Sequence, residues 1–177
     1  MTWRETKLRG VYVLEPAAQE DERGFFVRVF DNEEFKRQLG ISFPIAQASR
    51  SQNKKRGTIR GMHYQKHPAE EQKLVQCVRG RIYDVVLDLR EGSETLGQWI
   101  GEELSAENLK LSYVPKGCAH GFQTLEDNTE VFYCMSEFFS PDVYSGVRWD
   151  DPAFRIAWPL EVSLVSERDK NWPVFSQ

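Results

Sequence analysis

Cysteine, histidine and positive charge are all in short supply. The three cysteines, Cys77, Cys118 and Cys134, are odd in number and far apart, which argues against a disulfide framework and a CxxC-type zinc site and leaves reduced, structural thiols as the expectation. The 23 Lys and Arg residues face 27 Asp and Glu, a net charge of −4. That balance lacks the field by which nucleic acid or an anionic membrane is held, although local basic clusters suit a small phosphorylated ligand. No run approaches the roughly 18 consecutive apolar residues of a membrane-spanning helix. The opening Met1-Thr2-Trp3-Arg4-Glu5-Thr6-Lys7 is charged where a secretory leader is apolar. The expectation is a cytoplasmic protein with neither nucleic acid nor membrane as partner.

What is present suits a single folded domain spanning 1–177. Of the 177 residues, 40% are hydrophobic and 12% aromatic, enough to fill one core, and neither a repeat nor a low-complexity tract divides the chain. β-Branched and aromatic runs bounded by Gly, Pro or charged turns predict strands at Gly10 to Leu14, Phe25 to Phe30, Lys73 to Val78, Arg81 to Leu89, Leu111 to Val114 and Glu130 to Phe138. Gly80 reads as the tight turn of a hairpin joining two of these. A helix is expected over Asp31 to Leu39, with Asp31 as cap and Glu34 at the capping-box position, and a shorter one from Ser105. Many short strands with little helix indicate an all-β sandwich or barrel.

Two of the three histidines stand in Gly-punctuated segments, Gly57-Thr58-Ile59-Arg60-Gly61-Met62-His63-Tyr64-Gln65 and Pro115-Lys116-Gly117-Cys118-Ala119-His120-Gly121-Phe122. Such stretches on a rigid scaffold are where anion-binding and proton-moving groups are placed, so an enzyme is the first reading. In Ile82 to Asp88, period-two alternation puts Asp84, Val86 and Asp88 on one face. That face is either solvated or the polar interior of a barrel; spacing alone leaves both open.

The spacing of His63, Gln65, Glu70 or Glu71, Gly80 and then Pro115-x-Gly117-x-x-His120 is similar to that of the two motifs of the cupin barrels, which often hold a transition metal on three histidines and a glutamate. The second motif fits, but Gln65 stands where a ligand histidine is needed, and an amide is a poor ligand beside imidazole. The expectation is therefore no metal and an imidazole free to act as a base.

Further motifs make the resemblance specific: Asp21-Glu22-Arg23-Gly24-Phe25-Phe26, Arg60 to Gln65, Lys73-Leu74-Val75, Asp84-Val85, Ser93-x-Thr95-x-Gly97-x-Trp99, Pro115 to Phe122, Tyr133, Trp149-x-Asp151-Pro152 and Ser166-Glu167-Arg168-Asp169. Their order and spacing, nearly end to end, resemble the dTDP-4-dehydrorhamnose 3,5-epimerase family. The resemblance implies a cupin-type jelly-roll β-barrel with a few short helices and no cofactor. It further implies a homodimer in which an N-terminal segment completes the partner's site. The implied reaction is epimerisation of a nucleotide-linked 4-keto-6-deoxyhexose at C3, C5 or both, with the dTDP-linked sugar as first choice.

By the same resemblance His63 is the base, Asp169 its orienting carboxylate and Tyr133 the acid on the opposite side of the sugar, since tyrosine is protonated at neutral pH. Lys73 supplies a positive charge for the developing enolate oxygen. Arg60 and Arg23 clamp the diphosphate, Arg23 from the partner subunit. His120, Phe26, Gln47, Phe138 and Arg168 complete the implied substrate contacts, with Phe138 at a base-stacking position. Arg28, the stretch Gln47-Ala48-Ser49-Arg50, Phe138 and Tyr144 depart from the family's pattern on the nucleotide side. A metal-dependent cupin oxygenase or isomerase and a non-catalytic sugar-nucleotide binding barrel are the alternatives.

Arg60 and His63 lie three positions apart and would face opposite sides of an unbroken strand. An irregularity at Gly61 is therefore expected if both line one pocket.

Overall fold

Short runs separated by Gly, Pro and polar turns fold as strands in the computed structural model, which describes residues 1–175. In chain order these are β1 (Thr2–Glu5), β2 (Tyr12–Glu15), β3 (Gln19–Asp21), β4 (Gly24–Phe26), β5 (Gln47–Asn53), β6 (Thr58–Gln65), β7 (Lys73–Arg79), β8 (Arg81–Asp88), β9 (Trp99–Ser105), β10 (Leu111–Val114), β11 (Cys118–Thr124), β12 (Thr129–Met135), β13 (Tyr144–Gly146) and β14 (Leu164–Val165). The helices are α1 (Asn32–Leu39) and α2 (Glu167–Lys170). One six-stranded sheet runs β1-β2-β10-β7-β12-β5; the other runs β13-β6-β11-β8-β9, with β14 added to β6. Two sheets in this order form the cupin-type jelly roll, and β3 with β4 makes a separate hairpin.

Alternation decides what each sheet turns inward. On the first sheet, Val75, Cys77, Val131 and Tyr133 meet Ile82, Leu104 and Phe122 of the second in one cluster, which fixes Lys73, Val75 and Cys77 as the inner face of β7. Leu74, Leu111, Tyr113 and Cys134 point outward onto Phe35 of α1 and Phe43. Complete burial of Phe35 contributes about 2–3 kcal/mol relative to exposure. On the second sheet Val85, Leu87 and Ala119 pack outward on Phe154. Asp84 and Asp88 are therefore inside, 1% and 0% exposed, so the acidic face of β8 is barrel interior and not a solvated surface.

Helix α1 forms as its sequence suggests: the Asp31 side chain accepts from the backbone N–H groups of Glu33 and Glu34, and Gly40 ends the helix at φ 68°. Glu34 does not close a capping box but accepts from Trp3 Nε1 at 3.3 Å, tying the helix to β1.

Three local expectations are corrected. Gly80 (φ 71°) is not a hairpin turn: β7 pairs with β10 and β12, β8 with β9 and β11. It is the corner where the chain crosses between sheets, each strand having a long register with other partners. Ser105 opens a turn and no helix. Its backbone N–H donates to Asn108 Oδ1 and its Oγ accepts from the Asn108 N–H, both at 3.0 Å, a local closure that competes with helix. The strand expected over Phe25 to Phe30 is only Gly24–Phe26, paired with Gln19–Asp21.

Candidate active site

The inner faces of the two sheets part at one end into a cavity of about 710 Å3. From the first sheet come Gln47 on β5, Lys73 on β7, and Tyr133 and Met135 on β12; from the second come Arg60 and His63 on β6, His120 and Phe122 on β11, and Tyr144 on β13. The C-terminal segment closes one side with Val165, Ser166, Arg168 and Asp169.

Arg60 and His63 share this cavity because β6 is bulged against β11. His120 pairs with His63 and Phe122 with Arg60, so Gly61 and Met62 together face the single residue Gly121. Two glycines make the close approach feasible: a Cβ on Gly61, whose φ is 149°, would lie 2.6 Å from Gly121 Cα. The irregularity expected at Gly61 is present.

The imidazole of His63 and the carboxylate of Asp169 meet at 2.6 Å, Nε2 to Oδ1. Asp169 is held from three sides. Gly61 N–H donates to its Oδ2 at 3.4 Å, its own backbone N–H donates to the Ser166 hydroxyl at 3.1 Å, and β14 anchors the segment by pairing in parallel with β6. Burial pushes the Asp169 carboxyl up, but the hydrogen bond and charge of His63 and the Gly61 N–H outweigh it, so its pKa lies below the ordinary value. Asp169 is a carboxylate and can only accept, which puts the His63 proton on Nε2 and leaves the Nδ1 lone pair as the basic site. Burial lowers the His63 pKa, against the opposing pull of Asp169 and with the help of Lys73. The ring is a neutral base at pH 7.

Tyr133 stands on the sheet facing His63. Its inward direction follows from its register opposite Val75 on β7, and Lys73, two residues before Val75, lies on the same face. The Lys73 ammonium donates to the His63 backbone carbonyl at 3.0 Å and pairs with Glu71 at 2.9 Å. A second Asp–His pair lies deeper, His120 Nε2 and Asp84 Oδ1 at 2.6 Å. Arg60 donates from Nε to Asn53 Oδ1 at 2.6 Å, which fixes the guanidinium at the cavity mouth.

Gln65, at the metal-histidine position of cupins, does not line the cavity. Only 2% exposed, it donates to the carbonyls of Ala69 and Phe138 at 2.8 and 3.1 Å and accepts from Ser140 N–H at 2.6 Å. Its amide ties two loops together. Among the described residues no three His, Cys, Asp or Glu side chains converge as metal ligands.

Eight residues singled out from sequence thus meet in the cavity: His63, Tyr133, Asp169, Lys73, Gln47, Arg60, His120 and Arg168. Three do not. Arg23 is on the β3–β4 hairpin, 85% exposed at its side chain and paired with Asp21 at 2.5 Å, and Phe26 is 66% exposed beside a smaller recess that includes Met1 and Glu34. Phe138 is 65% exposed and outside the lining. Its neighbour Phe139 takes the rim position, its backbone N–H donating to Gln47 Oε1 at 2.5 Å.

Sequence reasoning missed Phe139 as a cavity residue, weighed Glu71 only as the glutamate of a cupin ligand set, and marked Tyr144 only as a departure on the nucleotide side. Tyr144 packs 5.6 Å from the His63 ring and 5.2 Å from Phe139, with the Arg168 guanidinium 5.7 Å from its ring centre. Burial raises its phenol to about 12.

The family model described as dTDP-4-dehydrorhamnose 3,5-epimerase matches residues 5–177. The dTDP-4-dehydrorhamnose 3,5-epimerase of Methanothermobacter thermautotrophicus is 41% identical over 171 residues, covering 95% of this chain and 91% of that protein. The crystal structure of the enzyme so named from Elizabethkingia anophelis superposes with a TM-score of 0.95 at 37% identity, over 99% of this chain and 96% of the other. That from Bacillus anthracis, with TDP and PPi bound, gives 0.94 at 40% identity, over 98% and 99%. Matches of this extent, over a chain that carries the His63–Asp169 pair opposite Tyr133, show that it belongs to the dTDP-4-dehydrorhamnose 3,5-epimerase family.

Proposed function

We propose that this isomerase epimerises dTDP-4-dehydro-6-deoxy-D-glucose at C3 and C5, giving dTDP-4-dehydro-L-rhamnose in deoxysugar biosynthesis, with His63 as base and Tyr133 as acid. The observation that carries the assignment of roles is the pair His63–Asp169 at 2.6 Å on one wall with Tyr133 on the facing sheet. Inversion requires removal of a proton from one side of the carbon and its return from the other, so two groups on opposite walls are the minimal machinery.

The ketone at C4 acidifies the hydrogens at C3 and C5. His63 takes one through Nδ1, and Asp169 steadies the imidazolium that forms. The electrons move into the C4 carbonyl, where the Lys73 ammonium meets the developing enolate oxygen. Tyr133 then donates its phenolic proton to the opposite side of the carbon. The reaction needs no metal, because the carbonyl itself holds the charge and the ammonium stabilises it.

Arg60 and Arg168 at the cavity mouth suit the diphosphate, as guanidinium forks match phosphate oxygens; Gln47, His120 and Phe139 frame the remaining ligand surface. The B. anthracis relative, solved with TDP and PPi bound, supports the thymidine nucleotide. The whole chain, 1–177, acts as one domain in the cytoplasm, and the protein works as a homodimer. Arg23 and Phe26, outside their own cavity on a hairpin with two exposed phenylalanines, would reach the partner's site.

Turnover in heavy water tests the reading. Wild type without added metal is expected to place solvent deuterium at C3 and C5. His63→Ala should abolish exchange; Tyr133→Phe should retain exchange and lose inversion. Absence of exchange in wild type with any nucleotide-linked 4-keto-6-deoxyhexose would overturn it.

A further inference from the structure

We infer that Glu71 is a positioning residue for Lys73: its carboxylate fixes the ammonium so that one N–H is aimed into the cavity. The inference rests on the proposed role of Lys73. A lysine is a compact charge on a flexible four-carbon stem and does not by itself hold a catalytic orientation. In this structure two contacts restrain it: Glu71 Oε1 at 2.9 Å and the backbone carbonyl of His63 at 3.0 Å. An ammonium has three donors. One is taken by the His63 carbonyl and the Glu71 carboxylate holds the charge in place beside it, so a donor is left for a ligand oxygen, and Lys73 lines the cavity.

Burial distinguishes this pair from a surface ion pair. The Lys73 and Glu71 side chains are 12% and 9% exposed, where an unpaired ammonium would be costly. The backbone that presents Glu71 is itself fixed: the adjoining Gln72 N–H donates to Ser136 Oγ at 2.8 Å, the Ser136 N–H donates to the Gln72 carbonyl at 3.0 Å, and Gln72 Oε1 accepts from Tyr113 at 3.0 Å. The carboxylate is thus anchored on the scaffold, and the lysine on the carboxylate. The His63 carbonyl contact also ties the ammonium to the strand that carries the base, so a displaced Lys73 would lose register with His63.

Interactions that strengthen only as the enolate forms act on kcat more than on KM. Glu71→Ala is expected to lower kcat roughly tenfold with KM changed less than about twofold. Glu71→Asp keeps the negative charge beside the ammonium and should recover part of kcat. In a Lys73→Ala background, Glu71→Ala should have no further effect, since a residue acting only through Lys73 has nothing left to act on. Glu71→Met, which preserves packed volume but carries no charge, serves where the alanine variant does not fold, with the same expected loss. A full effect of Lys73→Ala beside wild-type kcat in Glu71→Ala overturns the inference and leaves the role of Lys73 standing. An effect confined to KM, or one that persists undiminished without Lys73, overturns it too, because Glu71 would then touch substrate directly. If Lys73→Ala leaves kcat unchanged, the role of Lys73 falls, and the inference with it.

Discussion

Arg60 and His63 reach the same cavity only because Gly121 alone stands opposite both Gly61 and Met62. A guanidinium and an imidazole are thereby set on one wall by a single extra residue in one strand. Gly121→Ala should undo this: its Cβ would lie 2.7 Å from Met62 Sδ, 2.8 Å from Arg60 O and 2.9 Å from Gly61 Cα. Two of those neighbours are backbone and cannot swing aside. Overpacking of this kind costs about 1–3 kcal/mol, readable as a lower urea midpoint. kcat/KM should fall by more than the lost folded fraction explains, because the bulge sets where His63 sits. Wild-type stability and activity in this variant would mean that the strand finds another register without harm.

The pH profile of kcat/KM follows from the direction of the His63 shift. Burial holds its pKa below the ordinary imidazole value, so the base is neutral at pH 7 and activity should fall on the acid side only below the ordinary imidazole range. Asp169 pulls the other way, raising the His63 pKa by hydrogen bond and charge. Asp169→Asn should therefore move the acid limb to still lower pH while kcat drops roughly 100-fold through lost orientation and lost stabilisation of the imidazolium. A limb displaced upward in this variant would contradict the assignment of Asp169 as the partner.

Tyr144 offers a contrast with Tyr133. Burial chiefly, and the charge of Asp169 next, keep its phenol protonated up to about pH 12, and it stands on the same sheet as His63. A phenol on the base's own side cannot return a proton to the opposite side of the carbon. Tyr144→Phe should retain both deuterium exchange and inversion, with KM raised several-fold, about 1 kcal/mol for one hydrogen bond to the ligand. Loss of inversion with retained exchange in Tyr144→Phe, as expected for Tyr133→Phe, would exchange the two roles.

Which of these features were legible in the sequence depended on how local their cause is. That His63, Tyr133 and Asp169 share one cavity was, because His63 and Asp169 stand within short motifs and the family resemblance adds Tyr133, and the bulge was, because Gly61 between Arg60 and His63 poses a geometric problem with few solutions. Gly80 was misread because a glycine at positive φ serves equally a hairpin and a corner between sheets; only the pairing of β7 and β8 with other strands distinguishes them. Tyr144 and Phe139 were missed as lining because a three-residue strand and an irregular loop bring them to the cavity, and neither has a period to read. The substitution of Phe139 for Phe138 at the rim depends on hydrogen bonds from Gln65 and to Gln47, contacts across 73 and 92 residues.

Gln65 makes the last case, because the sequence invites a wrong experiment. Restoring histidine at this position would complete the cupin ligand pattern on paper, yet the Gln65 amide joins the carbonyls of Ala69 and Phe138 and the N–H of Ser140, and it is not part of the cavity lining. An imidazole has two ring nitrogens and cannot replace two donors and an acceptor at those three places. Gln65→His should leave buried backbone groups unsatisfied, destabilising the fold by about 1–3 kcal/mol for each group that finds no water. It should also loosen the loop that carries Phe139, raising KM. Elemental analysis after purification should show no stoichiometric transition metal. Stoichiometric metal held by this variant would mean that position 65 turns into the cavity when given an imidazole, and that the loop clamp is dispensable.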